Sequence, residues 1–179
     1  VAAIIVPCAM GVAEEHVAND GLIHEADNAA VFGTRRVRES QVLFRAGDAF
    51  HSLYVVRAGF FKTVMFDAQG AEQVLSFPMQ SDLMGADGIA SGHYASEAIA
   101  LQDSEVIIVP FGALTALSRE APAFERVLYS LISRELVRDQ GMLYVIGMLG
   151  AEGRVAAFLL NLAERFGAGK QRRRVPVVA

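Results

Sequence analysis

The sequence predicts a mostly β domain with appended helices: an antiparallel sandwich or barrel followed by one long helix. Three observations carry this. Between Thr34 and Val109, short apolar or alternating segments recur at roughly ten-residue spacing, with turn residues between them and no long helical period. After Pro110 the apolar spacing becomes helical and stays so almost to the end. The chain has 179 residues, 53% of them hydrophobic, enough to bury a sizeable core.

The opening VAAIIVPCAM is apolar, but it has no basic region before it, and its run is far below the roughly 18 residues that cross a bilayer. It reads as a strand or a segment packed on the core. Residues 11–33 carry Ala, Leu and Val at loosely helical spacing among Glu14, Glu15, Glu25 and Asp27, which predicts a short helix or two before Gly33. The strand segments that follow are TRRVRE, QVLFRAG, SLYVVRAG, FFKTVMF, QVLSFP, SEAIAL and SEVIIVP. Turn chemistry separates them: Ala46-Gly47-Asp48, Ala58-Gly59, Asp67-Ala68-Gln69-Gly70, Pro78 through Asp82, and the glycine-rich Gly85–Gly92.

Phe111–Ser118 reads as a short helix ending before Ala121-Pro122, whose proline suits the first turn of the next. That next helix, Phe124–Leu149, would run roughly 39 Å. In heptads it places Tyr129, Ile132, Leu136, Leu143 and Ile146 on an a/d seam, with Asp139 as the misfit at a d position. A second apolar face of this length calls for a partner, most simply a second copy of the chain. Gly147 and Gly150 interrupt the helix, AEGRVAAFLLNLAERF resumes the period, and Gly167 is the expected stop. The rest, AGKQRRRVPVVA, reads as a tail, so the chain stops one helix into a further domain.

Net charge of −4 and pI near 5.6 give no overall footprint for nucleic acid, although Lys170 and Arg172–Arg174 form a basic cluster, expected to be a solvated end. The single cysteine, Cys8, excludes an internal disulfide framework, reads as a lone thiol and fits a reducing cytoplasm.

The stretches QVLFRAGDAFHSLYVVRAGFFKTVMFDAQGAEQ, FPMQSDLMGADGIASGHYASEAIAL, ELVRDQGMLYVIGML and AEGRVAAFLLNL together resemble the CRP/FNR transcription regulators, in their FNR-like branch, over about Thr34–Phe166. The resemblance implies a double-stranded β-helix, the jelly roll of cyclic-nucleotide-binding-like domains, followed by a dimerisation helix. It implies an N-terminal segment (1–20), a sensory β-roll (21–112), a dimerisation helix region (113–149), the first helix of a DNA-binding domain (150–166) and a tail (167–179). A homodimer through the helix of residues 122–149 is implied. DNA and RNA polymerase follow as partners only where a C-terminal helix-turn-helix is present, and no membrane association is expected.

The cyclic-AMP-binding relatives hold the sugar and phosphate with a glutamate just after a glycine and with an Arg-Ser pair about ten residues on. Here the stretch is Gly85–Ala98, with candidate contacts Gly85, Ala86, Asp87, Gly88, Ala95 and Ser96. Ala86 stands at the glutamate position and Ala95-Ser96 at the Arg-Ser pair, leaving Ser96 and backbone amides to hold a phosphate alone. Asp82 and Asp87 read as turn residues of this loop. A family-type iron–sulfur cluster needs four thiolates, whereas only Cys8 is present and Ile107 occupies the internal cysteine position, so such a cluster is not expected. The cofactor is left open. A haem-based sensor would draw on His16, His24, His51 or His93, with His93 the first to test and a solvated loop residue its plain reading.

Ser96, Glu97 and His93 are close in sequence, but no nucleophile elbow, HExxH or Walker loop accompanies them, and no metal set is apparent. No catalytic residue is assigned. Asp139 either meets its own copy across the seam and restrains dimerisation, as an acid at this place does in the resembling proteins, or sits solvated at the rim beside Arg134 or Arg138. Gln69–Gln73 resembles the loop that FNR-type activators offer to RNA polymerase, which singles out Glu72, though a plain hairpin explains the same residues. The expected function is therefore the sensory and dimerisation portion of a transcription regulator. The alternative is a stand-alone module for a cyclic nucleotide or another small anion.

Overall fold

The protein is described here from a computed structural model that covers residues 32–120 and 122–171. The segment with Cys8, His16 and His24, the helices expected over residues 11–33 up to residue 31, and the cluster Arg172–Arg174 lie outside the described residues, and Gly33 already belongs to a strand. One compact unit ends at Glu135 and a second begins at Leu136.

Among the described residues, eight strands make two antiparallel four-stranded sheets. The first has the order β1 (Gly33–Val37), β8 (Ser104–Pro110), β3 (Ser52–Ala58), β6 (Leu83–Met84). The second has the order β2 (Val42–Phe44), β7 (Glu97–Ala100), β4 (Phe61–Phe66), β5 (Glu72–Ser76). This is the jelly roll that the sequence led us to expect.

Seven of these strands fall on the seven segments named from the sequence. The eighth, β6, does not stand out because two residues cannot show a period. β3 and β8 read as nearly continuous apolar runs because both faces of their sheet are covered. Along β3, Leu53 and Val55 point to one cluster and Val56 to another; along β8, Ile107 and Val109 alternate with Val106 in the same way. The interior of the roll holds Val37, Leu43, Phe44, Val56, Phe61, Met84, Tyr94 and Val106. On the opposite face of the first sheet, Leu53, Val55, Leu83, Ile107 and Val109 pack with Leu114 and Leu131 from the helices that follow.

Turn glycines set the strand pairing where no other residue fits. Gly59 has φ of +105°, and a Cβ there would overlap the Ser104 side chain and lie 2.7 Å from its Cα. At the β4–β5 hairpin, Asp67 Oδ1 accepts from the amides of Gln69 (2.9 Å) and Ala71 (2.8 Å), so pairing resumes at Glu72. Glu72 and Gln73 open β5 and are both exposed at the end of this hairpin turn.

Helix α1 (Phe111–Glu120) follows β8 directly, α2 (Pro122–Met148) opens on its proline, and α3 (Ala151–Gln171) follows the Leu149-Gly150 break. Within the first unit, Leu128, Leu131 and Ile132 of α2 face the sheet cluster at i, i+3, i+4 spacing. The break is fixed by Arg154, whose Nε donates to the Leu149 carbonyl at 2.9 Å. Gly167 does not end α3. A helical glycine costs only about 1 kcal/mol relative to alanine, and no proline follows until Pro176, so the turns continue to Gln171.

Candidate functional site

The segment between β6 and β7 contains the candidate contacts Gly85, Ala86, Asp87, Gly88, Ala95 and Ser96. Gly85 takes φ of 86° and leads into a single 3₁₀ turn, Ala86–Gly88. The left-handed backbone needs glycine here, and the room is short as well, since a Cβ on Gly85 would stand 2.9 Å from the Tyr94 ring. Gly88 likewise lies under Phe50, whose ring a Cβ would meet at 2.6 Å. Ala86, half-buried, packs on the sheet–helix cluster, and Ala95 is exposed.

Asp87 and Ser96 come together across this loop. Asp87 Oδ2 accepts two hydrogen bonds, one from the Ser96 amide at 2.9 Å and one from Ser96 Oγ at 2.7 Å. Ser96 is buried, whereas the rest of the Asp87 side chain reaches solvent. Asp87 is thus more than the turn residue the sequence suggested. Its link to Ser96 spans nine positions and leaves no periodic trace. Asp82 does act within its turn, its Oδ2 accepting from the Met79 amide at 2.9 Å.

Below the loop sits an aromatic stack that sequence reasoning did not single out. Tyr94 is 4% exposed and stacks on Phe44 at 4.2 Å between ring centroids, with Phe50 edge-on at 5.4 Å. Its hydroxyl donates to the Ser52 carbonyl at 2.7 Å. Burial, then the neighbouring Tyr54, push its phenol from 10.0 up to about 12, against a smaller opposing pull from the backbone at Ser52 and His51. Phe50 meets Phe111 edge-on at 5.2 Å, which links the loop to the start of α1. Nothing in residue type or spacing marks Tyr94 as the anchor, apart from its place beside the Ser91-Gly92 turn.

His51 and His93 are both exposed, and His93 Nδ1 lies 3.3 Å from the Ser91 carbonyl within its own turn. Among the described residues, no three His, Cys, Asp or Glu side chains form a metal-like group. Glu72 pairs with Lys62 across the β4–β5 hairpin.

Along α2 the predicted seam divides. Ile132 is half-buried against the sheet cluster of its own chain, while Tyr129 (61%), Leu136 (57%), Leu143 (69%) and Ile146 (47%) are left exposed. Asp139 also reaches solvent in the single chain. Partial burial among its helix neighbours nevertheless raises its carboxyl above the ordinary range, and the adjacent Arg138 charge pulls it back.

The profile of the cyclic nucleotide-binding domain matches residues 34–121. The "Anaerobic regulatory protein" of Pasteurella multocida is 37% identical over 150 residues, covering 84% of this chain and 55% of that protein. The "Fumarate and nitrate reduction regulatory protein" of Escherichia coli is 39% identical over 145 residues, covering 80% of this chain and 58% of that protein. The chain is similar to regulators of the CRP/FNR family. Its fold also matches that of FixK2 from Bradyrhizobium japonicum, with a TM-score of 0.68 at 23% identity over 75% of this chain and 67% of that one. The chain spans less than two thirds of the length of the curated relatives named here.

A four-thiolate cluster of the family type does not fit this chain. The internal cysteine position holds Ile107, 2% exposed and packed with Val55, Leu114 and Leu131, and the sequence has no cysteine besides Cys8. An aliphatic side chain fills that position and offers no ligand. No helix among the described residues is long and apolar enough to cross a membrane.

Proposed function

We propose that this chain is the sensory and dimerisation portion of a CRP/FNR-type transcription regulator. The β-roll receives the signal at the Gly85–Ser96 loop, and α2 pairs with its copy in a second chain. The observation that carries this reading is the apolar stripe Tyr129, Leu136, Leu143 and Ile146, exposed at heptad spacing along α2, with Val137, Met142, Tyr144 and Met148 exposed beside it. Asp139 lies on the same stripe and faces its copy, so dimerisation is conditional on relieving two like charges. Helix α3 supports the same reading: Val155, Leu159 and Phe166 are exposed at i, i+4, i+11, a face suited to a following DNA-binding domain. DNA is a partner where such a domain follows α3. Glu72, on the hairpin, is a candidate contact for RNA polymerase in that assembly.

Sedimentation equilibrium of the wild type and of Leu136→Glu/Leu143→Glu tests the reading. The wild type associates in a concentration-dependent manner, and the double variant stays monomeric with an unchanged circular dichroism spectrum. Equal association of the two proteins would overturn it.

A further inference from the structure

We propose that Asp87 is a specificity-determining residue of the β-roll: its carboxylate occupies Ser96 as a built-in anion and bars phosphate-bearing ligands from the Gly85–Ser96 loop. The inference rests on reading that loop as the place where a signal is received. It adds what the loop refuses.

A phosphate held here has few donors to use. The glutamate and arginine positions are Ala86 and Ala95, neither of which can bind an anion or a ribose hydroxyl, so Ser96 is the remaining polar side chain of the set. Both Ser96 donors, the amide and Oγ, already point to one oxygen of Asp87. A phosphate arriving at Ser96 must displace that oxygen and then lie against a carboxylate of its own sign. Competition for donors and like-charge repulsion act in the same direction.

The surrounding packing keeps Asp87 in place. Gly85 is held over the Tyr94 ring and Gly88 over the Phe50 ring, so the short turn that carries Asp87 is fixed on both sides. The amide of Gly92 donates to the Gly88 carbonyl at 3.0 Å, and that of Tyr94 donates to the Asp48 carbonyl at 3.0 Å, which ties the remainder of the loop to the roll. The loop thus satisfies the Ser96 donors with a group of its own, and an effector acting here works by releasing Asp87 from Ser96 rather than by filling an open phosphate site.

Amide hydrogen exchange at Ser96, read by NMR on the full chain, tests this. In the wild type, Ser96 exchanges slowly and neither inorganic phosphate nor cyclic AMP at millimolar concentration changes it. In Asp87→Ala the exchange at Ser96 rises about tenfold, the loss expected for charge-assisted hydrogen bonds, with the strand amides unchanged. Inorganic phosphate then slows it again, because the donors are free. Asp87→Asn shows a smaller rise, since an amide oxygen still accepts but carries no charge. Should Asp87→Ala fail to fold, Ser96→Ala removes one of the two bonds and gives a smaller rise at the amide of residue 96. Equal exchange in wild type and Asp87→Ala, protection of the wild type by cyclic AMP, or indifference of Asp87→Ala to phosphate would each overturn the proposal. The readout is independent of association, so failure here is distinct from failure of the dimer reading.

Discussion

Replacing Tyr94 with phenylalanine removes one hydroxyl from the interior of the roll and leaves its ring stack intact. The lost group donates to the Ser52 carbonyl at 2.7 Å in a place that is 4% exposed, so that carbonyl is left without this donor. Such a loss costs about 1–2 kcal/mol, which for a chain of this length lowers Tm by about 3–6 °C. Tyr94→Ala, which also removes the contacts with Phe44 and Phe50, costs about 3–5 kcal/mol.

The hydroxyl also gives the wild type a pH signature. The folded phenol titrates near 12 rather than 10.0, so the folded state holds this proton more tightly than the unfolded state. Its contribution is fully present below pH 10 and is lost as pH rises through the folded value, falling by about 1.4 kcal/mol by about pH 11. Urea titrations of wild type and Tyr94→Phe at about pH 8 and about pH 11 therefore show a gap that closes at the higher pH. A variant as stable as the wild type at the lower pH, or a gap independent of pH, would refute the reasoning.

Asp139→Asn strengthens self-association at neutral pH about fivefold or more, since even in water two like charges at 4 Å cost about 1 kcal/mol; sedimentation equilibrium measures it. Because the Asp139 carboxyl is raised, wild-type association tightens as pH falls through its titration, and Asp139→Asn loses that dependence. Gly59→Ala, strained by its positive φ and by the Ser104 backbone, lowers stability by about 2–4 kcal/mol, whereas Gly70→Ala, with open space around it, costs about 1 kcal/mol; thermal denaturation separates the two. Ile107→Ala opens a cavity beside Leu131 and costs about 2–5 kcal/mol by urea titration.

The jelly roll was legible because each strand is bounded by turn chemistry that has few alternatives, such as Asp67 through Gly70 or Ala58-Gly59. The long helix was legible from its period. What the sequence concealed depends on tertiary approach. Ile132 fits the heptad seam as well as Leu136 does, yet it packs half-buried on its own sheet cluster, because the early turns of α2 serve that cluster too. Asp87 looked like an ordinary turn acid because its link to Ser96 is set by the fold of the loop, and Tyr94 looked like any loop aromatic for the same reason. Gly167 gave a stop signal that the helix overrides, since one glycine weighs little against continuing turns.

Cysteine cross-linking across the α2 seam bears most directly on the central claim, that this helix pairs with its own copy. Leu136 and Val137 are adjacent and almost equally exposed, at 57% and 62%, but only Leu136 lies on the a/d stripe. In a Cys8→Ser background, mild oxidation of Leu136→Cys yields a covalent dimer, while Val137→Cys stays monomeric under the same conditions. Equal cross-linking of the two, or none at Leu136→Cys, would contradict the account.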